Sequence, residues 1–376
     1  MKIAVNTRLL LKNRLEGIGW FSYETLKRIT IQHPEHEFIF IFDRKYDESF
    51  IFSDNITPVV TGPQARHPVL FYLWFEFAIP RILKKTGADI FVSPDGYLSL
   101  STDVPSLAVI HDLNFEYYPK DLPWAPRKHF RYYFPKYARK AARVATVSEY
   151  SKNDIAKRYG VEPDKIDVVF NGANPKFKPL NDTEKKTIRE KHTNGSPYFI
   201  FVGALHPRKN LVNLFPAFDL FKKSDNNDTK LLIVGEKQYW TDEIKTTYEK
   251  MTFRDDVIFS GRLGLDELTK VVGSALALTY VSYFEGFGIP IVEAFYAETP
   301  VITSNITSMP EVAGDAALII DPFSIESISK AMNRISTNES LRKSLIEKGR
   351  ERAKLFSWQK SADRLWGAIE KMTAGI

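Results

Sequence analysis

The chain has 376 residues, 44% of them hydrophobic and 26% charged, with a formal net charge of +6; this is the composition of a folded globular protein and excludes a disordered or fibrous one. At about 150 residues per domain the length calls for two or three domains, and two is the simpler reading. The absence of cysteine excludes disulfides, thiolate metal sites and a cysteine nucleophile.

The opening run, Met1-Lys2-Ile3-Ala4-Val5-Asn6, reads as a strand and lacks the charged, apolar and small-residue sections of a signal peptide, so a cytoplasmic location is expected. From Asn6-Thr7-Arg8 a loop leads through Glu16-Gly17-Ile18-Gly19 to a helix over 19–31. The loop has the look of a nucleotide fingerprint, but Ser22 stands where a third glycine belongs, and acceptor binding suits it better. Strands over 37–42, 56–60, 89–92, 106–110, 144–147 and 166–169 then alternate with helices over 71–85, 127–143 and 149–158, the pattern of a parallel sheet flanked by helices. The apolar stretch from Pro68 to Pro80 is interrupted by Glu76 and falls short of the roughly 20 residues that cross a bilayer. His111-Asp112 follows the strand 106–110, where polar groups reach the mouth of a ligand crevice. A structural histidine is the other reading.

Between Lys120 and Arg143 eight basic residues stand against one acid, Asp121. After Pro135, the residues Lys136, Arg139, Lys140 and Arg143 are spaced i, i+3, i+4, i+7, which predicts a basic helix face, with Trp124, Phe130, Tyr132 and Phe134 nearby as interface anchors. The segment reads either as a dock for anionic membrane or as a solvated face over core aromatics. Nucleic acid is not expected as a partner.

Asn-Gly, Asn-Pro and Lys-Pro pairs mark a pause over 170–196, read as linker. A second alternating series follows, with strands near 198–203, 230–234, 257–260, 275–280, 300–303 and 317–320, and after Pro322 only helices are expected. The reading is an amino-terminal Rossmann-like domain over 1–172, a carboxyl-terminal one over 173–355, and a last helix over 356–376 docking back on the amino-terminal domain.

The segment Tyr280-Val281-Ser282-Tyr283-Phe284-Glu285-Gly286-Phe287-Gly288-Ile289-Pro290-Ile291-Val292-Glu293-Ala294 reads as strand, glycine loop and helix, with Pro290 in the first turn. Gly286 and Gly288 let the backbone approach a ligand, and a helix start favours an anion such as phosphate. Glu285 and Glu293 bracket the turn. A carboxylate beside a phosphate needs hydroxyl donors, which a nucleotide sugar supplies on its sugar and its ribose; an acid at a helix start is the bland alternative. At the end of the first strand of this domain, Val202-Gly203-Ala204-Leu205-His206-Pro207-Arg208-Lys209-Asn210 places Arg208 and Lys209 where two cations can meet a diphosphate. Taken alone they read as a surface pair.

With these elements in place, the chain resembles the retaining glycosyltransferases of family four, whose GT-B architecture has two Rossmann-like domains with parallel sheets facing across a cleft. The paired-glutamate segment from Glu285 to Ala294, the run from Val202 to Asn210, Ala145-Thr146-Val147-Ser148-Glu149-Tyr150-Ser151, and Ser304 through Pro310-Glu311-Val312-Ala313-Gly314-Asp315-Ala316-Ala317 are similar to that family's motifs. The resemblance implies that Glu285 contacts the transferred sugar, that Glu293 contacts the ribose and that Arg208 and Lys209 contact the diphosphate. It places His111 near the transferred sugar, Gly17 and Gly19 near donor and acceptor, and Gly203, Gly286, Phe287, Gly288 and Ile289 around the donor; Asp112 is assigned to the acceptor side. Ala204 departs from the pattern, since many members carry arginine there, and Arg208 is expected to supply that charge. No metal or other cofactor is implied. The subgroup most resembled includes bacterial O-antigen mannosyltransferases, which points to mannose from GDP-mannose and a glycan or lipid-linked acceptor at the inner face of a membrane. The rival readings are a nucleotide-sugar epimerase or a glycogen-type phosphorylase on the same paired domains, or a non-catalytic sugar-nucleotide-binding protein.

Overall fold

Seven short β-strands, β1 (Lys2–Asn6), β2 (Glu37–Phe42), β3 (Ile56–Val60), β4 (Ile90–Ser93), β5 (Ser106–Val109), β6 (Arg143–Thr146) and β7 (Ile166–Val168), form a parallel sheet in the order β3-β2-β1-β4-β5-β6-β7. Six more, β8 (Tyr198–Val202), β9 (Lys230–Val234), β10 (Val257–Gly261), β11 (Ala277–Tyr280), β12 (Val301–Ser304) and β13 (Leu318–Ile320), form a second in the order β10-β9-β8-β11-β12-β13. The computed structural model describes residues 1–225 and 228–374. Central strands such as Phe38–Phe42 and Tyr198–Phe201 are buried on both faces, which is why they read as unbroken apolar runs with no in-out alternation. The chain divides into two compact units, Met1–Gly172 with Trp358–Ile376, and Ala173–Ser357.

In each sheet the strand order reverses next to the unit's first strand, between β1 and β4 and between β8 and β11. Loops leaving the carboxyl ends of two strands part company there, and this is where open parallel sheets bind ligands.

Four local features differ from the sequence expectation. The first helix is Gly17–Gln32, so Gly17 and Gly19 occupy its first turn and not a preceding loop. A side chain at Gly19 would come within 3.1 Å of the Leu9 carbonyl oxygen, and its absence lets the loop after β1 close onto the helix. The helix expected over 71–85 is interrupted by a π-turn at Trp74–Ala78, flanked by Pro68–Leu73 and Ile79–Thr86. The basic helix is Trp124–Lys140 and runs through Pro135. Arg143 lies beyond it as the first residue of β6, in register with Leu107, and its Nε is 2.6 Å from Asp167. The four-residue basic face expected after Pro135 is therefore cut short, because sheet pairing claims Arg143. Phe134 is buried in the core and is no interface anchor. Finally, the stretch read as linker contains the helix Asp182–Thr193. A reciprocal capping box starts it: the Glu184 N–H donates to the Asn181 side chain and the Asn181 N–H to the Glu184 carboxylate, each at 2.9 Å. The Asn-x-x-Glu spacing was the available signal.

The last helix, Trp358–Thr373, belongs to the first unit and lies against Gly17–Gln32. The Trp366 ring stacks on His33 at 3.6 Å between centroids, the Ser361 hydroxyl donates to the Phe170 carbonyl, and Lys371 pairs with Asp167 at 2.6 Å.

Candidate active site

In the second unit the site grows from the β8/β11 switch point. After β8 the chain turns at Gly203, whose φ of +145° suits glycine, and enters a single 3₁₀ turn, Pro207–Lys209, closed by Asn210 at φ +65°. The Asn210 amide donates to the carbonyls of Val281, just past β11, at 2.9 Å and of Pro322 at 2.7 Å. The Tyr283 N–H donates to the Arg208 carbonyl at 2.9 Å. The two loops are thus fastened to each other, which fixes where Arg208 and Lys209 lie relative to the glycine loop.

Both cations converge on Glu285. Lys209 Nζ is 2.6 Å from Oε1 and Arg208 Nη1 is 2.5 Å from Oε2; Lys209 also donates to the Tyr280 hydroxyl at 2.7 Å, and Arg208 to the Phe284 carbonyl at 3.1 Å. Burial pushes the Glu285 carboxyl up, but the charges of Arg208 and Lys209 outweigh it and hold the group below the usual carboxylate range. A buried carboxylate with two cations is a charged cluster of net +1, a suitable receptor for a further anion.

The glycine loop is held from the other side by Ser308, whose hydroxyl donates to the carbonyls of Glu285 at 2.9 Å and Phe287 at 3.1 Å. Gly288, at φ +103°, precedes the helix Ile289–Tyr296, with Pro290 in its first turn. The positive end of that helix dipole therefore lies directly after the glycines. Glu293, half-buried in the same helix, is pushed up to about 8 by burial. The two glutamates, alike in sequence, thus have opposite electrostatics: Glu285 is held ionised, and Glu293 gains its charge only with difficulty.

In the first unit, His111 follows β5. Its Nε2 is 2.8 Å from the Pro94 carbonyl, which can only accept, so Nε2 carries the proton and Nδ1 is the acceptor; burial lowers its pKa and keeps the ring neutral. The Phe21 ring, from the helix that begins at Gly17, packs edge-on against it at 5.0 Å. Asp112 Oδ1 accepts from the Asn114 N–H at 2.9 Å and so holds the turn that follows. The β1/β4 switch point carries a buried network the sequence reading left out: Asp95 takes Arg8 Nε at 2.6 Å, Asn6 Nδ2 at 2.8 Å and the Ser93 hydroxyl at 3.0 Å. The signals for it are Asn6-Thr7-Arg8 at the end of β1 and Asp95-Gly96, a turn pair after β4. Tyr280, Ser308 and Asn210, which hold Lys209 and the two loops at the β8/β11 switch point, carry no separate signal in the sequence.

The profile of "Glycosyl transferases group 1" matches residues 182–352, and that of "Glycosyltransferase Family 4" matches residues 31–177. The chain is 26% identical to O-antigen chain mannosyltransferase B of Escherichia coli over 96% of this chain and 97% of that one. It is 29% identical to O-antigen chain mannosyltransferase RfbU of Salmonella typhimurium over 75% of this chain and 74% of the relative. Among solved structures it is similar to WaaG, a glycosyltransferase involved in lipopolysaccharide biosynthesis, with a TM-score of 0.74 and 19% identity over 96% of this chain and 98% of that one. The two family matches together take in most of both units, and the chain belongs to the family-four glycosyltransferases, as a hexosyltransferase of GT-B architecture.

Proposed function

We propose that the protein transfers mannose from GDP-mannose, with retention of configuration, to a glycan or lipid-linked acceptor presented at the inner face of a membrane. The observation that carries the donor side is the convergence of Arg208, Lys209 and Glu285 at the β8/β11 switch point, next to the start of the helix Ile289–Tyr296. In this reading the diphosphate meets the two cations and the helix start, Glu285 holds the transferred sugar, and Glu293 accepts from the ribose hydroxyls. His111, with Gly17 and Gly19, serves the sugar and the acceptor, and Asp112 lies on the acceptor side. The acceptor oxygen bonds to the anomeric carbon as the bond from that carbon to the phosphate oxygen breaks. The acceptor proton passes to the departing diphosphate on the same face. Arg208 and Lys209 stabilise the charge that grows on the leaving group, so neutralisation is assigned to protein cations and to no metal. The choice of mannose is supported by the named relatives, and the choice of a membrane-held acceptor by the basic segment.

The test is calorimetry with GDP and UDP, followed by product analysis with GDP-mannose and mannosylated oligosaccharides. Tighter binding of GDP and an α-linked mannose in the product are expected. Interconversion of free GDP-mannose without any acceptor would establish an epimerase, and equal affinity for the two diphosphates would remove the guanine assignment.

A further inference from the structure

The helical run from Pro68 to Ala78 is apolar on both of its sides. Trp74 and Phe75 are buried in the core of the first unit. The opposite side exposes Val69 at 59%, Tyr72 at 41%, Leu73 at 39% and Phe77 at 45%. A helix apolar all round is normally enclosed, so a contiguous exposed stripe of this kind calls for an occupant. The sole acid of the run, Glu76, is turned away, its Oε1 accepting from the Leu100 N–H at 2.8 Å. The exposed charges flanking the stripe in sequence are Arg66 on one side and Arg81, Lys84 and Lys85 on the other.

The stripe continues onto the helix Trp124–Lys140. The Tyr72 ring lies 5.9 Å from Phe77 and 6.3 Å from Tyr133, and Tyr133 lies 4.9 Å from Tyr132. On that helix Trp124, Lys128, Tyr132 and Lys136 recur every four residues, a row of alternating aromatics and cations, and Lys140 adds a further cation at the same spacing. Trp124 is 62% and Tyr132 57% exposed. Lys128 sits 4.4 Å over the Trp124 ring and Lys136 3.4 Å over the Tyr132 ring. Of the other basic residues, Arg131 is met by Glu116 at 3.1 Å and Arg143 by Asp167, while the exposed Arg139 donates to the Tyr159 carbonyl at 2.8 Å, so the lysines share the outward charge with Arg139.

We propose that this composite surface, the apolar stripe Val69–Phe77 with the aromatic and lysine row of Trp124–Lys140, seats the first unit on an anionic lipid bilayer. Leu73 and Phe77 enter the acyl boundary, Trp124 and Tyr132 lie at headgroup level, and the lysines face lipid phosphates. A second copy of the chain fits poorly: a twofold contact would press the same basic rim against itself. The surface is tied to the strand ends, since Arg8, just past β1, donates to the Ala65 carbonyl at 3.2 Å and lies 5.1 Å from the Phe71 ring. The inference deepens the reading of a membrane-held acceptor and rests on it only for what is presented there.

The test is flotation of the full chain with vesicles of phosphatidylcholine alone or mixed equally with phosphatidylglycerol, without any acceptor. Binding to the anionic vesicles alone is expected, weakening as salt rises, with a blue shift of tryptophan emission that Trp124→Phe removes. Leu73→Ser with Phe77→Ser, and separately Lys128→Gln with Lys136→Gln, should each weaken binding by about tenfold or more, with melting temperature and transfer to a soluble oligosaccharide unchanged. Equal recovery with both vesicle types overturns the surface. So does wild-type affinity in both double variants, or a dimer in sedimentation that Leu73→Ser with Phe77→Ser dissolves. Transfer to the soluble acceptor without flotation defeats this inference and leaves the enzymatic reading standing; flotation without transfer from any donor does the reverse.

Discussion

Glu285 and Glu293 separate the proposed donor site into two experiments. Since Arg208 and Lys209 are already committed to Glu285, Glu285→Ala releases both cations to the diphosphate. If Glu285 holds the transferred sugar as proposed, affinity for GDP should hold or rise while turnover falls by at least about a hundredfold, because the sugar is no longer positioned. Removing a cation acts in the opposite sense: Lys209→Ala leaves a buried carboxylate short of a partner. A loss of about 3 kcal/mol in unfolding free energy is expected by denaturant titration, partly recovered by Glu285→Gln in the same chain. Glu293 is governed by pH. Its pKa of about 8 in the folded protein exceeds the ordinary value of 4.5, so between these values the folded state holds the extra proton and stability falls as pH rises. Glu293→Gln should therefore raise the melting temperature of the ligand-free protein at pH 8 and leave it unchanged at pH 4. If the ionised form accepts both ribose hydroxyls, wild-type GDP affinity rises from pH 6 to pH 8, and Glu293→Gln removes that slope along with about 1–3 kcal/mol of binding. A flat pH profile in the wild type would reject the ribose assignment.

At the scale of elements, the site depends on close approach between backbones. A side chain at Gly235, just past β9, would lie 1.9 Å from the Gly203 carbonyl oxygen. Gly235→Ala must then push the loop that carries Arg208 and Lys209, at a cost of about 3 kcal/mol and with weaker GDP binding. Thermal melts and calorimetry on the same sample check both. By contrast Asn181→Ala, which removes one arm of the capping box, should cost about 1 kcal/mol and leave GDP affinity alone, since it starts a helix away from the β8/β11 switch point. The strands were readable from their apolar runs because full burial removes any choice of residue type. Elements whose limits depend on neighbours were not. Arg143 continues a helical spacing in sequence, yet β5 recruits it as a strand residue. The π-turn at Trp74–Ala78 leaves the same apolar pattern as an unbroken helix.

For the whole molecule, the chain leaves the first unit at Gly172 and returns to it at Trp358, so a residue near the end stabilises the beginning. Trp366→Ala, which empties the stack on His33, should destabilise the first unit by about 3–5 kcal/mol while the GDP affinity of the second unit persists; differential scanning calorimetry with and without GDP separates the two. What the sequence by itself determined was the alternation of strand and helix, and hence two parallel sheets, together with the glycine loop before the helix Ile289–Tyr296; it also put forward Arg208, Lys209, Glu285 and Glu293 as candidates. These follow from local burial and backbone demands carried by adjacent residues. Tertiary structure alone decided that Arg208 and Lys209 close on Glu285, that Glu293 has no such cation beside it among the described residues, that Asp95 gathers Arg8 and Asn6, and that the exposed aromatics of 69–77 join those of 124–136. Each joins side chains far apart in sequence, and electrostatic energy and surface character depend on distance in space, which sequence spacing does not record.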